Sequence, residues 1–317
     1  MISNFSIAKK QKNSKGKVLE DYSSTGRKKP WKERKMQSEL LAKTYQYLYK
    51  KTGIPEYQTK AIRVSECGTF LSFKECPLGH HEGKKLVRAN FCRDRLCPMC
   101  QWRRSMKLAY QVNQVCHLAL LEKPGLRFLF LTLTTRNVQG DKLKAAIDEM
   151  NYGFSKLMNR KEVKRSVEGY FKAIEVTYNS NRGDYHPHFH VILAVKPSYF
   201  QRYYYIRQSR WVELWKESLK VNYTPIVHIE TIKARKKGDK PQIEKDNEEY
   251  IKAMSRATAE TAKYSVKPEE YISEDIEKVL NVVYTLHNAL KGKRLTTYGG
   301  LLLEMRKKLN MDDLEGE

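Results

Sequence analysis

Short apolar patterns punctuate a polar, basic chain, and their spacing predicts the elements. Arg127 to Thr135 (RFLFLTLTT) is nearly continuously apolar, as a strand buried on both faces should be. Leu143, Ile147, Met150, Phe154, Leu157 and Met158 then mark one face of a helix over 141–159. Strands follow at 169–178 and 186–195, then a helix at 209–220 carrying Trp211, Trp215 and Leu219, and a strand near 225–233. After a charged loop comes a helix over 244–266, which must stop before Pro268. Ile276, Val279, Leu280, Val283, Tyr284 and His287 trace another helix, and Leu301 to Leu309 a last one. Near the N-terminus, Leu41, Tyr45 and Leu48 predict a helix from Ser38 to Lys51, preceded by a mobile basic arm over 1–35. Helices and strands mix without a βαβ repeat, so the expected class is α+β, an antiparallel sheet flanked by helices. Breaks in the pattern divide the chain into an arm and helix (1–60), a Cys-rich module (61–122), a sheet-bearing domain (123–270) and a C-terminal helical segment (271–317).

Composition narrows the class. The 317 residues are 40% hydrophobic and 30% charged, enough for a core beneath a very polar surface. No run approaches the roughly 20 apolar residues that span a bilayer, and MISNFSIAKKQKNSKGK lacks a signal-peptide core, so a cytoplasmic protein without membrane attachment is expected. Lys and Arg outnumber Asp and Glu by 60 to 36, a net charge of +24. Residues 1–60 hold 15 basic and 5 acidic residues, +10 of that total. Such self-repulsion calls for a polyanionic partner, nucleic acid first among them.

Three of the eight histidines lie within five residues, His186-Pro-His188-Phe-His190, and the segment continues VILAV. On a strand the even positions share one face and Phe189, Val191, Leu193 and Val195 the other, which predicts a buried odd face and a histidine-lined even one. Imidazoles at i and i+2 sit roughly 7 Å apart, close enough to converge on one metal ion. The preceding strand is joined by NSNRGD; with Arg182-Gly183 as the central turn residues, Glu175 stands opposite His190 on the same face. Two imidazoles and a carboxylate, His188, His190 and Glu175, suit Mg²⁺ or Mn²⁺ acting on a phosphate, and zinc hydrolysis on ligands alone.

In AETAKYSVK (259–267), Glu260 and Tyr264 stand at i and i+4 on the predicted helix, with Lys263 and Lys267 beside the tyrosine. A phenol with a pKa near 10 needs cations or a metal-bound phosphate to act as a nucleophile at neutral pH. FLTLTTRN (130–137), then His188-Phe189-His190, then Glu260 to Lys267 resembles, in that order, the three motifs of the HUH nickases. More closely, it resembles the single-tyrosine rolling-circle replication initiators (Rep proteins) of small plasmids from Gram-positive bacteria. The likeness runs from about 66 to 308 and includes LKGKRLTTYGGL near 290–301. Conjugative relaxases carry their tyrosines ahead of the histidines. Two-tyrosine transposases and phage-type initiators have a second tyrosine one turn away, where this chain has Glu260. The next tyrosine, Tyr271, falls beyond Pro268.

The resemblance implies a HUH endonuclease domain over 123–270 that nicks plasmid origin DNA, single-stranded or extruded as a hairpin. Tyr264 would be the nucleophile, leaving a covalent 5′-phosphotyrosine link and a 3′-OH primer, with later strand transfer and termination. Glu260 would activate water for the second cleavage, and Lys263 and Lys267 would assist the phenolate or the phosphates. Host helicase and DNA polymerase are implied as partners, and a homodimer is a further expectation.

Cys97-Pro-Met-Cys100, with Cys92 just before it, reads as a metal knuckle. By the resemblance, Cys67 completes a structural Zn²⁺ site with Cys92, Cys97 and Cys100. Cys76, His80 and His81 depart from the family pattern and stay open as further ligands, while Cys116 on VCHLALL belongs to a core. A thioredoxin-like redox pair is the alternative, disfavoured by the missing βαβ context. Arg93, Arg95, Arg103 and Arg104, with Trp102, form a candidate DNA-binding face. The rival functions are a HUH transposase, a non-enzymatic zinc-containing DNA-binding regulator, and a metal-dependent hydrolase with no covalent step.

Overall fold

The computed structural model describes residues 19, 21–23, 26–74, 85–232, 253–262, 266–271 and 275–314. Its centre is a five-stranded, wholly antiparallel sheet. The strands are β3 (Arg127–Thr134), β4 (Val167–Asn179), β5 (Asp184–Val195), β6 (Val227–Thr231) and β7 (Thr296–Gly300), in the order β6-β3-β5-β4-β7. A separate hairpin pairs β1 (Leu71–Lys74) with β2 (Lys85–Ala89).

Each face of the sheet is covered by a different set of helices. The odd positions of β5, with Leu129, Leu131 and Leu133 of β3, pack against α4 (Leu143–Met158), α6 (Gln208–Leu219) and α9 (Ile276–Leu290). The same apolar cluster continues into α1 (Trp31–Thr52), α2 (Pro55–Ser65) and the cysteine knuckle. The even positions Phe130, Ile192 and Ala194, with Phe171 of β4, pack under α3 (Pro98–Glu122), helix α7 (253–261) and α10 (Leu301–Lys308). Short helices α5 (Lys161–Lys164) and α8 (Pro268–Tyr271) complete the order. The three histidines on the even face of β5 are only partly buried. Among the described residues no helix is long and apolar enough to cross a membrane.

The α+β reading and the antiparallel sheet agree with this architecture, with several local corrections. α1 begins at Trp31, seven residues before the expected start, because Trp31 is buried edge-on against Trp102 and Phe73. Its indole N–H donates to the buried Asp21 carboxylate, which also accepts from Lys29. The described end of the supposed arm is therefore docked. α2, β2 and β7 escaped the sequence reading. β7 is short and ends Gly299-Gly300, where a side chain on Gly299 would strike the Tyr170 ring and Gly300 takes φ 55° beside the Glu168 carbonyl. The α7 helix gives way to a turn at Ala262, and Val266 and Lys267 lie outside it.

The β4–β5 hairpin also differs. Four residues, 180–183, connect Asn179 to Asp184, which moves the register by two and pairs Glu175 with His188, and Ala173 with His190. The Asn179 side chain accepts the amides of Asn181 and Arg182, and its carbonyl accepts that of Gly183, which sits at φ 67°. An Asx turn with a left-handed glycine thus replaces the expected two-residue turn.

Candidate metal centre and cysteine knuckle

Strand alternation brings His186, His188 and His190 to one face of β5, each half-buried, and the neighbouring β4 offers Glu175, 6% exposed, to the same face. Glu175 Oε2 lies 3.0 Å from His190 Nε2 and 3.4 Å from His188 Nε2. Both imidazoles are held from behind: His188 Nδ1 lies 3.2 Å from the His186 carbonyl, and His190 Nδ1 3.4 Å from the Thr132 hydroxyl. The His186 carbonyl can only accept, so His188 donates from Nδ1, and the Nε2 atoms of both imidazoles face the Glu175 carboxylate, with the back-side anchoring found behind histidine metal ligands. Phe130 lies against the His190 ring, with centroids 5.6 Å apart.

Burial works against a charged Glu175, yet hydrogen bonds and charge from His188 and His190 hold its carboxyl well below the usual carboxylate range. An anionic oxygen between two imidazole nitrogens is a ready metal donor set. Cis ligands about 2.1 Å from an octahedral ion stand about 3.0 Å apart, so these three residues could hold one divalent ion with little adjustment.

Lys267 reaches the same centre, its Nζ 3.6 Å from Glu175 Oε1. Glu260 is half-buried on α7, which covers the histidine-bearing face. Lys263 and Tyr264 lie outside the described residues. Tyr271 is fully buried and donates its hydroxyl proton to the Leu96 carbonyl, so it is a core residue.

Beyond the histidines, the sequence reading passed over a polar relay. Asn137 donates to Asp184 at 2.8 Å, so its carbonyl is left to accept from His186 Nδ1, also at 2.8 Å. Burial lowers the His186 pKa, and the neighbouring His188 lowers it further. Arg136 stacks 4.0 Å over the Tyr223 ring, whose hydroxyl bonds Thr135. TTRN thus supplies anchored polar groups beside the centre, a signal legible only once β3 and β5 are paired.

The four knuckle cysteines come together as expected. Their sulfurs lie 3.5 Å (Cys67–Cys100), 3.6 Å (Cys92–Cys100) and 3.7 Å (Cys97–Cys67) apart, all buried. A tetrahedral ion with bonds of about 2.3 Å would set its sulfurs about 3.8 Å apart. Amides of Arg93 and Cys92 donate to the sulfurs of Cys100 and Cys67, and the Ser38 hydroxyl sits 3.3 Å from Cys97. This donor set fits a metal ion in thiolate form. Cys116 is buried in the second cluster, where burial pushes its thiol up. Cys76, His80 and His81 lie outside the described residues.

Of the four arginines, Arg93 is exposed, Arg104 bonds the Arg93 carbonyl, and Arg103 lies over the Trp31 and Trp102 rings. Arg95 is half-buried, and its guanidinium donates to the Leu290 and Lys293 carbonyls at the C-terminal end of α9.

A family profile described as "Replication protein" matches residues 83–317. "Protein rep" of Bacillus amyloliquefaciens is 46% identical over 302 residues, covering 94% of this chain and 87% of its own length. The chain belongs to the Rep family of plasmid replication initiators. "Protein rep" of Streptococcus pneumoniae is 39% identical to this Rep protein over 94% of the chain and 85% of the relative. A Staphylococcus aureus "Replication protein" is 37% identical over 66% of the chain and 85% of the relative. No solved structure matches.

Proposed function

We propose that this Rep protein is a site-specific, metal-dependent single-strand endonuclease and strand transferase of the HUH type that starts rolling-circle replication at the plasmid's double-strand origin. The observation that carries it is the convergence of Glu175, His188 and His190, with Lys267, three residues after Tyr264, within 3.6 Å of the same carboxylate.

Glu175, His188 and His190 would hold Mg²⁺ or Mn²⁺, which polarises a phosphate and stabilises the charge developing on it. The Tyr264 phenol attacks phosphorus; its O–P bond forms as the P–O3′ bond breaks, with net transfer of the phenolic proton to the departing 3′ oxygen. The products are a 5′-phosphotyrosine and a 3′-OH primer. Lys267, and Lys263 beside the nucleophile, favour the phenolate and neutralise phosphate oxygens. Glu260 activates water for the terminating cleavage. Cys67, Cys92, Cys97 and Cys100 would hold a structural Zn²⁺ that cross-links segments within the 61–122 module, with Arg93, Arg103 and Arg104 on the DNA. Host helicase would separate the strands and host polymerase would extend the primer.

Supercoiled plasmid bearing its own origin, incubated with Mg²⁺ or Mn²⁺ and either wild type or Tyr264→Phe, tests the proposal. Protein attached to a nicked 5′ end, stable to detergent, absent in Tyr264→Phe and abolished by EDTA, is the expected outcome. Nicking by both forms would remove Tyr264 from the mechanism, and binding without nicking by either would leave only a DNA-binding role.

A further inference from the structure

The turn between β5 and α6 carries an unusual amount of exposed aromatic surface. Phe200, Tyr203 and Tyr205 are 41%, 76% and 52% exposed. The turn is nonetheless firmly built. Buried Tyr199 donates its hydroxyl to the Ile206 carbonyl at 3.1 Å and accepts from the Trp211 indole at 3.3 Å. The amides of Tyr204 and Tyr205 both return to the Gln201 carbonyl. Arg165 fixes the outer side, donating to the Tyr203 carbonyl at 3.0 Å with its guanidinium 5.2 and 5.4 Å from the Tyr203 and Tyr204 ring centroids.

Charge around these rings is sorted. Acidic Glu162, Glu213 and Glu217 are all engaged by Arg210, and Glu217 also by Arg160. Exposed Lys161, Lys164, Arg165, Arg202 and Arg207 have no carboxylate within ion-pair distance among the described residues. Rigid, outward aromatic rings framed by cations that no carboxylate neutralises match one ligand chemistry: unstacked bases on a polyanionic backbone. A duplex offers no free base faces to such rings, so the occupant is single-stranded.

We infer that Phe200, Tyr203 and Tyr205, with Arg165 and Arg202, form a second binding site for single-stranded DNA, separate from the metal centre. It lies beyond Val195, and the five steps along the strand from His190 to Val195 alone span about 17 Å. A strand engaged at both places crosses the end of the sheet, so the platform holds DNA that flanks the nick. This rests on the reading of the protein as a DNA nickase, and the two fail separately in the following test.

Full-length wild type, Tyr203→Ala/Tyr205→Ala, Tyr203→Phe/Tyr205→Phe and Tyr264→Phe are titrated with a fluorescent thymidine 30-mer at raised ionic strength, and each is assayed on a short origin oligonucleotide. Stacking of one base on an aromatic side chain changes affinity by roughly five- to 150-fold. The double alanine variant should bind the 30-mer at least tenfold more weakly, with its melting temperature and short-oligonucleotide cleavage unchanged. The double phenylalanine variant should bind like wild type, since the ring is kept. Tyr264→Phe should bind normally and not cleave; cleavage by it would sink the nickase reading while leaving the platform standing. Unchanged 30-mer binding in the alanine variant overturns the platform, and a lower plasmid copy number alongside that result would assign the patch to a protein partner. Equal loss in the alanine and phenylalanine variants would also overturn it, because stacking would not be the cause.

Discussion

Lys172 sits on the wrong side of the sheet for an ion, and the cost can be read out by pH. It is 5% exposed on β4, facing the α4 side, where its Nζ donates to Asn151 Oδ1 at 2.5 Å and lies 4.3 and 4.9 Å from the Phe189 and Phe154 ring centroids. Burial pushes its pKa down to about 8 from an ordinary 10.5. At 1.36 kcal/mol per pH unit, folding with Lys172 charged costs about 3 kcal/mol. Because the folded value is the lower one, the unfolded chain binds the extra proton between about pH 8 and 10.5. Stability from this group therefore rises with pH across that window, and the full penalty is present below pH 8. Lys172→Met removes the titration but leaves Asn151 short of a donor, so its net effect at pH 7 mixes two terms. The difference between the two proteins is cleaner. In urea unfolding at pH 7.5 and pH 10.5, wild type should gain about 3 kcal/mol relative to Lys172→Met, the other titrating groups cancelling. Parallel stability curves for the two proteins over that range would refute the reasoning.

Three further outcomes test the proposed chemistry. Glu260→Gln should nick origin DNA at close to the wild-type rate yet fail at the terminating cleavage, measured as accumulation of multimeric displaced strands; equal loss of both steps would end the division of labour between Tyr264 and Glu260. Elemental analysis should find one zinc per chain in wild type and less in Cys97→Ser, which should also melt at a lower temperature because metal binding is coupled to folding; full zinc retention would remove Cys97 from the site. Glu175→Ala should retain thymidine 30-mer binding while nicking falls by at least 100-fold at any Mn²⁺ concentration, and recovery at high Mn²⁺ would demote Glu175 to an auxiliary ligand.

The legible parts of this chain were those whose physics is local and periodic. Alternation on β5 placed three histidines on one face and a buried apolar row on the other, and spacing grouped Cys92, Cys97 and Cys100, to which the family resemblance added Cys67. What escaped depends on partners distant in sequence. Trp31 extends α1 because Trp102 and Asp21 wait for it, and TTYGG is a strand because Gly169 and Tyr170 accept its glycines at close range. The bond from Arg95 to the end of α9, almost two hundred residues away, has no signal in the sequence around it. The hairpin shows why one mistake was harmless. Its register was misread by two residues, and two is the period of a strand, so Glu175 stayed on the histidine face with a different partner. A one-residue error would have sent the carboxylate into the apolar layer beneath the sheet. The four-residue turn from Ser180 to Gly183 is therefore part of the metal centre's construction: its parity decides whether the third donor faces the two imidazoles at all.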